Sequence, residues 1–362
     1  MNNESTTRPT TKKEWTDLGI INYQKGNIDT AIENFLCALT IDPNYIDAHF
    51  GLGNCYYTRK EWEKAIGYYE TVSRKIPQGA STWGNLGNAY LELEQLDKAR
   101  EAFLKAIELK PEYAPNWYNL ARFYEKVDTQ KAIETYQKVQ TLDPKYTSAH
   151  YNLGILYHKD GLLKEAIECY NLALKADPHH LKAWINLGIV FRDLGEIENG
   201  ILTYKKALET LSEHSELWFA LGNLYYKRGL EDDLINAANS YIKGLELAPD
   251  EVSGWSDLGG VYYEMGEFNK AIDYTQKALD VNPKYFKAWF NLGNIYYKKY
   301  TKEAVLEDDL LEYKSYALWC FQEGAKLGDR ESKHNEQSLL KEGIEGKKPP
   351  LIFEYQEEDE KV

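Results

Sequence analysis

The residues of this 362-residue chain whose type and spacing could do chemistry are asparagines. Five share one setting, ahead of a leucine: Asn85 in WGNL, Asn119 in WYNL, Asn152 in HYNL, Asn186 in WINL and Asn291 in WFNL. Asparagine is a mediocre helix former, so its return to one slot asks for a reason. A carboxamide offers both donors and an acceptor, and can therefore pair with an extended peptide backbone whatever side chains that backbone carries. Asn54, Asn88, Asn223 and Asn294 form a second series three residues further along the repeat. Tyr118 and Tyr151 flank the first series, and such rings commonly anchor a bound partner. Arg122, Lys126, Lys159, Lys182 and Arg192, set against Glu125 and Asp193, add a basic patch suited to an acidic peptide.

Other chemistry is poorly served. The seven histidines are scattered, and His179-His180 has no carboxylate or cysteine beside it to complete a metal site. No G-x4-GK[ST], G-x-S-x-G or HExxH motif occurs, and Gly51-Leu52-Gly53 is part of a repeat rather than a phosphate loop. Cys37, Cys55, Cys169 and Cys320 lie far apart without a CxxC, which argues against disulfides and zinc and for small, semi-buried side chains. The expected chemistry is recognition: not an enzyme, no cofactor, no metal.

What must position these residues is a 34-residue period. Trp15, Trp83, Trp117, Trp184, Trp218, Trp255 and Trp289 mark one slot, and His49 and His150 fill its two gaps. Leu follows three residues later, then Gly (Ala121 in the fourth unit), then an aromatic, which together make one helical stripe. A small residue, an aromatic and an alanine mark a second helix, and Pro43, Pro77, Pro111, Pro144, Pro178, Pro249 and Pro283 close most units. The units are 12–45, 46–79, 80–113, 114–146, 147–180, 181–214, 215–251, 252–285 and 286–331. With the Trp slot numbered 4, the core stripe takes positions 4, 7, 8 and 11 of the first helix, helix A. Positions 2, 6, 9 and 13 turn to the opposite side. The asparagines occupy 6 and 9. That face is close to neutral although the chain carries a net charge of −14.

Departures fall at turns. The fourth unit is one residue short near Val127-Asp128, the sixth has Gly200 and Ser212 for the usual Ala and Pro, and the seventh has extra residues near Leu230. The ninth has an insertion over roughly 302–313, after which its second helix is expected to restart at Ala317. Segment 1–11 reads as a flexible N-terminus, 332–346 as a capping helix and 347–362 as a flexible acidic tail.

The motif W-x2-L-G-x2-Y…A-x3-F…A…P, met about nine times over 12–331, resembles the tetratricopeptide repeat family. The resemblance implies an all-α fold of about nine antiparallel helix pairs in a right-handed superhelix, with a groove that binds a peptide segment of a partner protein. The asparagines look similar to the ladder in the repeat domain of O-linked N-acetylglucosamine transferase. The alternative function is therefore a substrate-targeting part that works with a separate catalytic domain such as a glycosyltransferase. The two-carboxylate clamp of some family members is disfavoured, because position 5 is never Lys and position 6 is never Arg. Leu351-Ile352-Phe353 followed by acidic residues makes the chain's own tail a candidate occupant.

A uniformly acidic chain is a poor binder of nucleic acid. No apolar run approaches the roughly 18 residues a membrane helix needs. The N-terminus has no signal-like apolar stretch, so a cytoplasmic location and no membrane insertion are expected.

Overall fold

A computed structural model describes residues 9–230, 232–303 and 307–349. The expectations for residues 1–8 and for the acidic tail from 350 onward lie outside the described residues. Every regular element among the described residues is an α-helix. The chain divides into two compact units, 1–177 and 178–362.

The first unit holds five helix pairs: α1 (Lys12–Gln24) with α2 (Ile28–Ile41), α3 (Ile46–Thr58) with α4 (Trp62–Lys75), α5 (Ala80–Glu92) with α6 (Leu96–Leu109), α7 (Ala114–Val127) with α8 (Thr129–Leu142), and α9 (Thr147–Lys159) with α10 (Leu163–Ala176). The second holds α11 (Leu181–Asp193) with α12 (Ile197–Leu208), α13 (Ser215–Arg228) with α14 (Asp233–Leu247), α15 (Val252–Glu264) with α16 (Phe268–Val281), α17 (Phe286–Glu303) with α18 (Glu307–Lys326), and a final α19 (Arg330–Lys341). Within each unit every helix packs on its neighbours in sequence, and α19 lies against α18.

Two recurrent contacts make the pair. The glycine after the leucine lies over the aromatic ring of helix B: a methyl group on Gly53 would come 2.5 Å from Tyr69, and one on Gly188 only 2.2 Å from Tyr204. Those rings are fully buried, as are the helix-B alanines Ala31, Ala65, Ala99, Ala132, Ala166 and Ala271. In the sixth repeat Leu224 of α13 presses on Gly200, which explains why that repeat lacks the alanine.

The second contact ties each repeat from the second to the ninth to the turn before it. Indole Nε1 of Trp83, Trp117, Trp255 and Trp289 donates to the carbonyl of the proline six residues upstream, at 2.7–2.9 Å. His49 and His150 keep this bond through Nε2 to Pro43 O and Pro144 O, both at 2.9 Å. Where Ser212 replaces proline, Trp218 still donates to its carbonyl at 2.8 Å. The slot therefore needs a flat side chain with an N–H at its tip.

The irregular turns have local causes. In the short fourth repeat Asp128 ends α7 and caps α8, its Oδ1 accepting from Lys131 N at 3.1 Å. In the seventh, buried Asp233 accepts from Arg228 and from Leu230 N at 2.8 Å, which ties the end of α13 to the start of α14. The ninth repeat differs from expectation: α18 begins at Glu307, well before Ala317. The insertion holds no Gly or Pro to break a helix, so both helices lengthen.

Candidate peptide-binding face

The helical period turns positions 6 and 9 away from the core stripe, and the structure shows what they meet. Asn85 on α5 donates Nδ2 to Asn54 Oδ1 on α3 at 3.0 Å, and Asn54 Oδ1 also accepts the buried Tyr69 hydroxyl at 2.7 Å. Asn152 on α9 donates to the hydroxyls of Tyr118 at 3.2 Å and Tyr136 at 3.0 Å. Asn291 on α17 donates to Ser256 Oγ on α15 at 3.0 Å. Three position-6 asparagines thus reach back to the preceding helix A and bridge neighbouring repeats. Sequence reading missed this role. The signal was there in part, since each bridging pair lies about one repeat apart in sequence.

Position 9 meets helix B instead. Asn223 Oδ1 accepts from the Tyr241 hydroxyl at 2.6 Å, as Asn54 does from Tyr69. Asn88 stands where helix B has Phe103, which has no hydroxyl, and its Oδ1 is buried without a partner. Asn119 is half-buried on α7, close against Gly84 of α5, and makes no hydrogen bond among the described residues. Asn294 is half-buried on α17, and Asn186 half-buried on α11.

Tyr118 makes tilted ring contacts with Tyr146 at 5.0 Å and Tyr136 at 5.8 Å, while Tyr151 lies 6.1 Å from Tyr170. Both rings are half-buried and serve the packing as well as the face. Burial pushes the Tyr69 and Tyr241 hydroxyls well above their ordinary range, so they stay protonated donors. The Tyr136 hydroxyl is raised too, by burial first and by its bond to Glu125 second.

The basic residues are divided between the units. Arg122, Lys126 and Lys159 belong to the first, Arg122 half-buried and the two lysines exposed. Lys182 and Arg192 belong to the second, and exposed Arg192 pairs with its neighbour Asp193 at 2.9 Å. Burial raises the thiols of Cys55 to about 11 and Cys169 to about 12, which leaves them protonated and unreactive.

Each unit carries a cavity on this face. One of about 490 Å³ in the first unit is lined by Ile20 and Tyr23 of α1, Phe50, Gly51 and Asn54 of α3, and Val72 of α4. One of about 390 Å³ in the second is lined by Asn223, Tyr226, Asp257, Tyr263, Glu264, Asn291 and Asn294. Among the described residues no group of three or more His, Cys, Asp or Glu could hold a metal ion. None of the described helices is long and apolar enough to cross a membrane.

Stacked antiparallel helix pairs with a ring-under-glycine contact and a tryptophan tied to the preceding turn define an all-helical repeat protein. Tetratricopeptide repeat models match residues 48–81, 80–113, 147–180 and 181–210, and TPR repeat models match 19–58, 122–161 and 259–299, together more than half of the chain. The chain belongs to the tetratricopeptide repeat family, whose repeats form protein-interaction scaffolds, and none of the matched models describes an enzyme. It is similar to superkiller complex protein 3 of Mus musculus, 38% identical over 20% of this chain and 5% of that protein. It is also similar to the peroxisomal targeting signal receptor of Candida albicans, 32% identical over 24% of this chain and 16% of the receptor. The chain thus matches only a small part of each relative's length. Among solved structures, YrrB, described as a TPR protein with an unusual peptide-binding site, is 27% identical with a TM-score of 0.44, over 52% of this chain and 97% of YrrB.

Proposed function

We propose that this chain is a non-enzymatic interaction scaffold whose A-helix face binds an extended or helical segment of a partner protein. The observation that carries this reading is that both cavities open on the same repeat positions, 5, 6, 9, 12 and 13 of helix A. Those positions combine carboxamides, tyrosines and charged groups, a mixture that suits a peptide backbone with alternating side chains. Asn54, Asn85, Asn88, Asn119, Asn152, Asn186, Asn223, Asn291 and Asn294 supply the polar rungs. Bridging one repeat to the next occupies only some of the hydrogen-bonding capacity of a carboxamide. Tyr118 and Tyr151, with Arg122, Lys126 and Lys159, would contact a segment bound to the first unit, and Lys182 and Arg192 one bound to the second. The occupant is a segment of another protein or the chain's own acidic tail, and the likeness to a targeting-signal receptor favours the former.

The test is selection of random peptides of about twelve residues, displayed on phage, against the full-length protein. Enriched peptides should bind the purified protein, and Asn119→Ala should weaken them by about threefold to tenfold irrespective of their side chains, the effect of one hydrogen bond. Asn119 has no internal partner, so the substitution should leave the fold intact by circular dichroism. Enrichment no better than on an unrelated acidic protein, or affinities that Asn119→Ala leaves unchanged, would refute the reading.

A further inference from the structure

We propose that the A-helix face of the eighth repeat is a recess for one lysine or arginine side chain of the bound segment. This rests on reading that face as the peptide-binding one, and it assigns a specificity that the asparagine series does not.

Position 6 is asparagine in five repeats and Asp17, Gly51 and Ala220 in the first, second and seventh, while the eighth reads Trp255-Ser256-Asp257-Leu258. A carboxylate is acceptor-only, so it cannot donate to a peptide carbonyl as a carboxamide does. It asks for a cation. Asp257 lies in the 390 Å³ cavity of the second unit, with Glu264 from position 13 of the same helix. The lining contains no Lys, Arg or His. Neither carboxylate makes a hydrogen bond or ion pair among the described residues.

The rings of Tyr226 and Tyr263 stand in the same lining, where they can flank an alkylammonium or guanidinium group. Tyr226 is 44% exposed with its side chain available. Asn291 and Asn294 line the other side from α17. The cation whose field reaches Asp257 is Lys287 of α17, which bridges to neither carboxylate, while Glu251 at the start of α15 adds negative charge. Asp257 is exposed, yet partial loss of hydration raises its carboxyl to about 6, against the lowering field of Lys287. The cavity of the first unit is more apolar: there Gly51 holds position 6, Ile20, Phe50 and Val72 line the space, and Asp47 is its one carboxylate.

The experiment uses the same displayed peptide library on the full-length protein and on Asp257→Asn, at about pH 7.5, where the Asp257 carboxyl is ionised. Asn is the residue that other repeats carry at this position, so the variant should fold, and circular dichroism checks it. Wild-type protein should enrich peptides sharing one lysine or arginine, and replacing that residue with uncharged norleucine should weaken binding by about tenfold. Asp257→Asn should still bind peptides but without that basic preference, and Glu264→Gln should reduce the preference in part. Peptides enriched by wild-type protein with no common basic residue, or a basic preference that survives Asp257→Asn, would overturn the recess while leaving the peptide-binding face standing. Failure to enrich any peptide would overturn both.

Discussion

At the scale of single residues, the asparagine of W-x-N-L does two jobs that its type alone could not separate. Asn85, Asn152 and Asn291 spend donors on the preceding repeat, while Asn119 spends none among the described residues. The recurrence was legible in sequence because a poor helix former kept one slot. The partners were not, because they sit about a repeat away and change identity: Asn54, Tyr118, Ser256. The exception at Asp257 has a consequence for stability. Its carboxyl is raised to about 6 in the folded chain, against about 3.9 in an unfolded one. Between those values the folded state holds more protons, so the contribution of this group to stability is full at low pH and is lost as pH rises through 6. Asp257→Asn removes the loss. Its melting temperature should exceed that of wild type at neutral pH, and the gain should vanish as pH approaches 4, read by thermal melts across that range. A variant equal to or less stable than wild type at neutral pH would mean that the carboxylate is already compensated.

At the scale of elements, the turns between paired helices show where sequence and backbone disagree. Gly26, Gly161, Gly195 and Gly266 take left-handed φ between 76° and 80° two residues past helix A. The second and third repeats put Lys60 (φ 61°) and Glu94 (φ 57°) in that place. A side chain in this region carries strain, and both residues are exposed, so little packing is lost by removing them. Lys60→Gly and Glu94→Gly should each stabilise by about 0.5–1 kcal/mol, the strain relieved less the extra chain entropy of glycine. Urea unfolding midpoints measure it, and a drop for both would show that the turn conformation is not the one described. Helix existence and pairing were readable throughout, since tryptophan, leucine and glycine spacing forces one buried stripe. The start of α18 was not, because the insertion has no punctuating residue. Histidine in the tryptophan slot was readable as core. Its bond to the proline carbonyl was readable only from the constant six-residue offset shared by Pro43–His49 and Pro77–Trp83.

At the scale of the whole molecule, contacts inside each unit are short-range in sequence: helices pack on the next helix, and in places more thinly on the next but one. Stability in such a chain is close to a sum of repeat and nearest-neighbour contributions, so damage should stay local. Gly188 provides the probe. A methyl group there would meet the Tyr204 ring at 2.2 Å, and overpacking of that kind costs about 1–3 kcal/mol. The fourth repeat, with Ala121 in the equivalent slot, shows that a repeat can absorb the methyl group rather than unfold. In Gly188→Ala, amide hydrogen exchange should accelerate in α11, α12 and α13, whose packing shares the strained contact. Exchange in α17, α18 and α19 should match wild type, because those helices belong to the same unit but contact none of the three. Acceleration through all the helices of the second unit would mean that its repeats unfold as one cooperative block. A recess whose acid comes from Asp257 and Glu264 of one helix accords with the local outcome, since neither carboxylate makes a hydrogen bond or ion pair to a neighbouring repeat among the described residues.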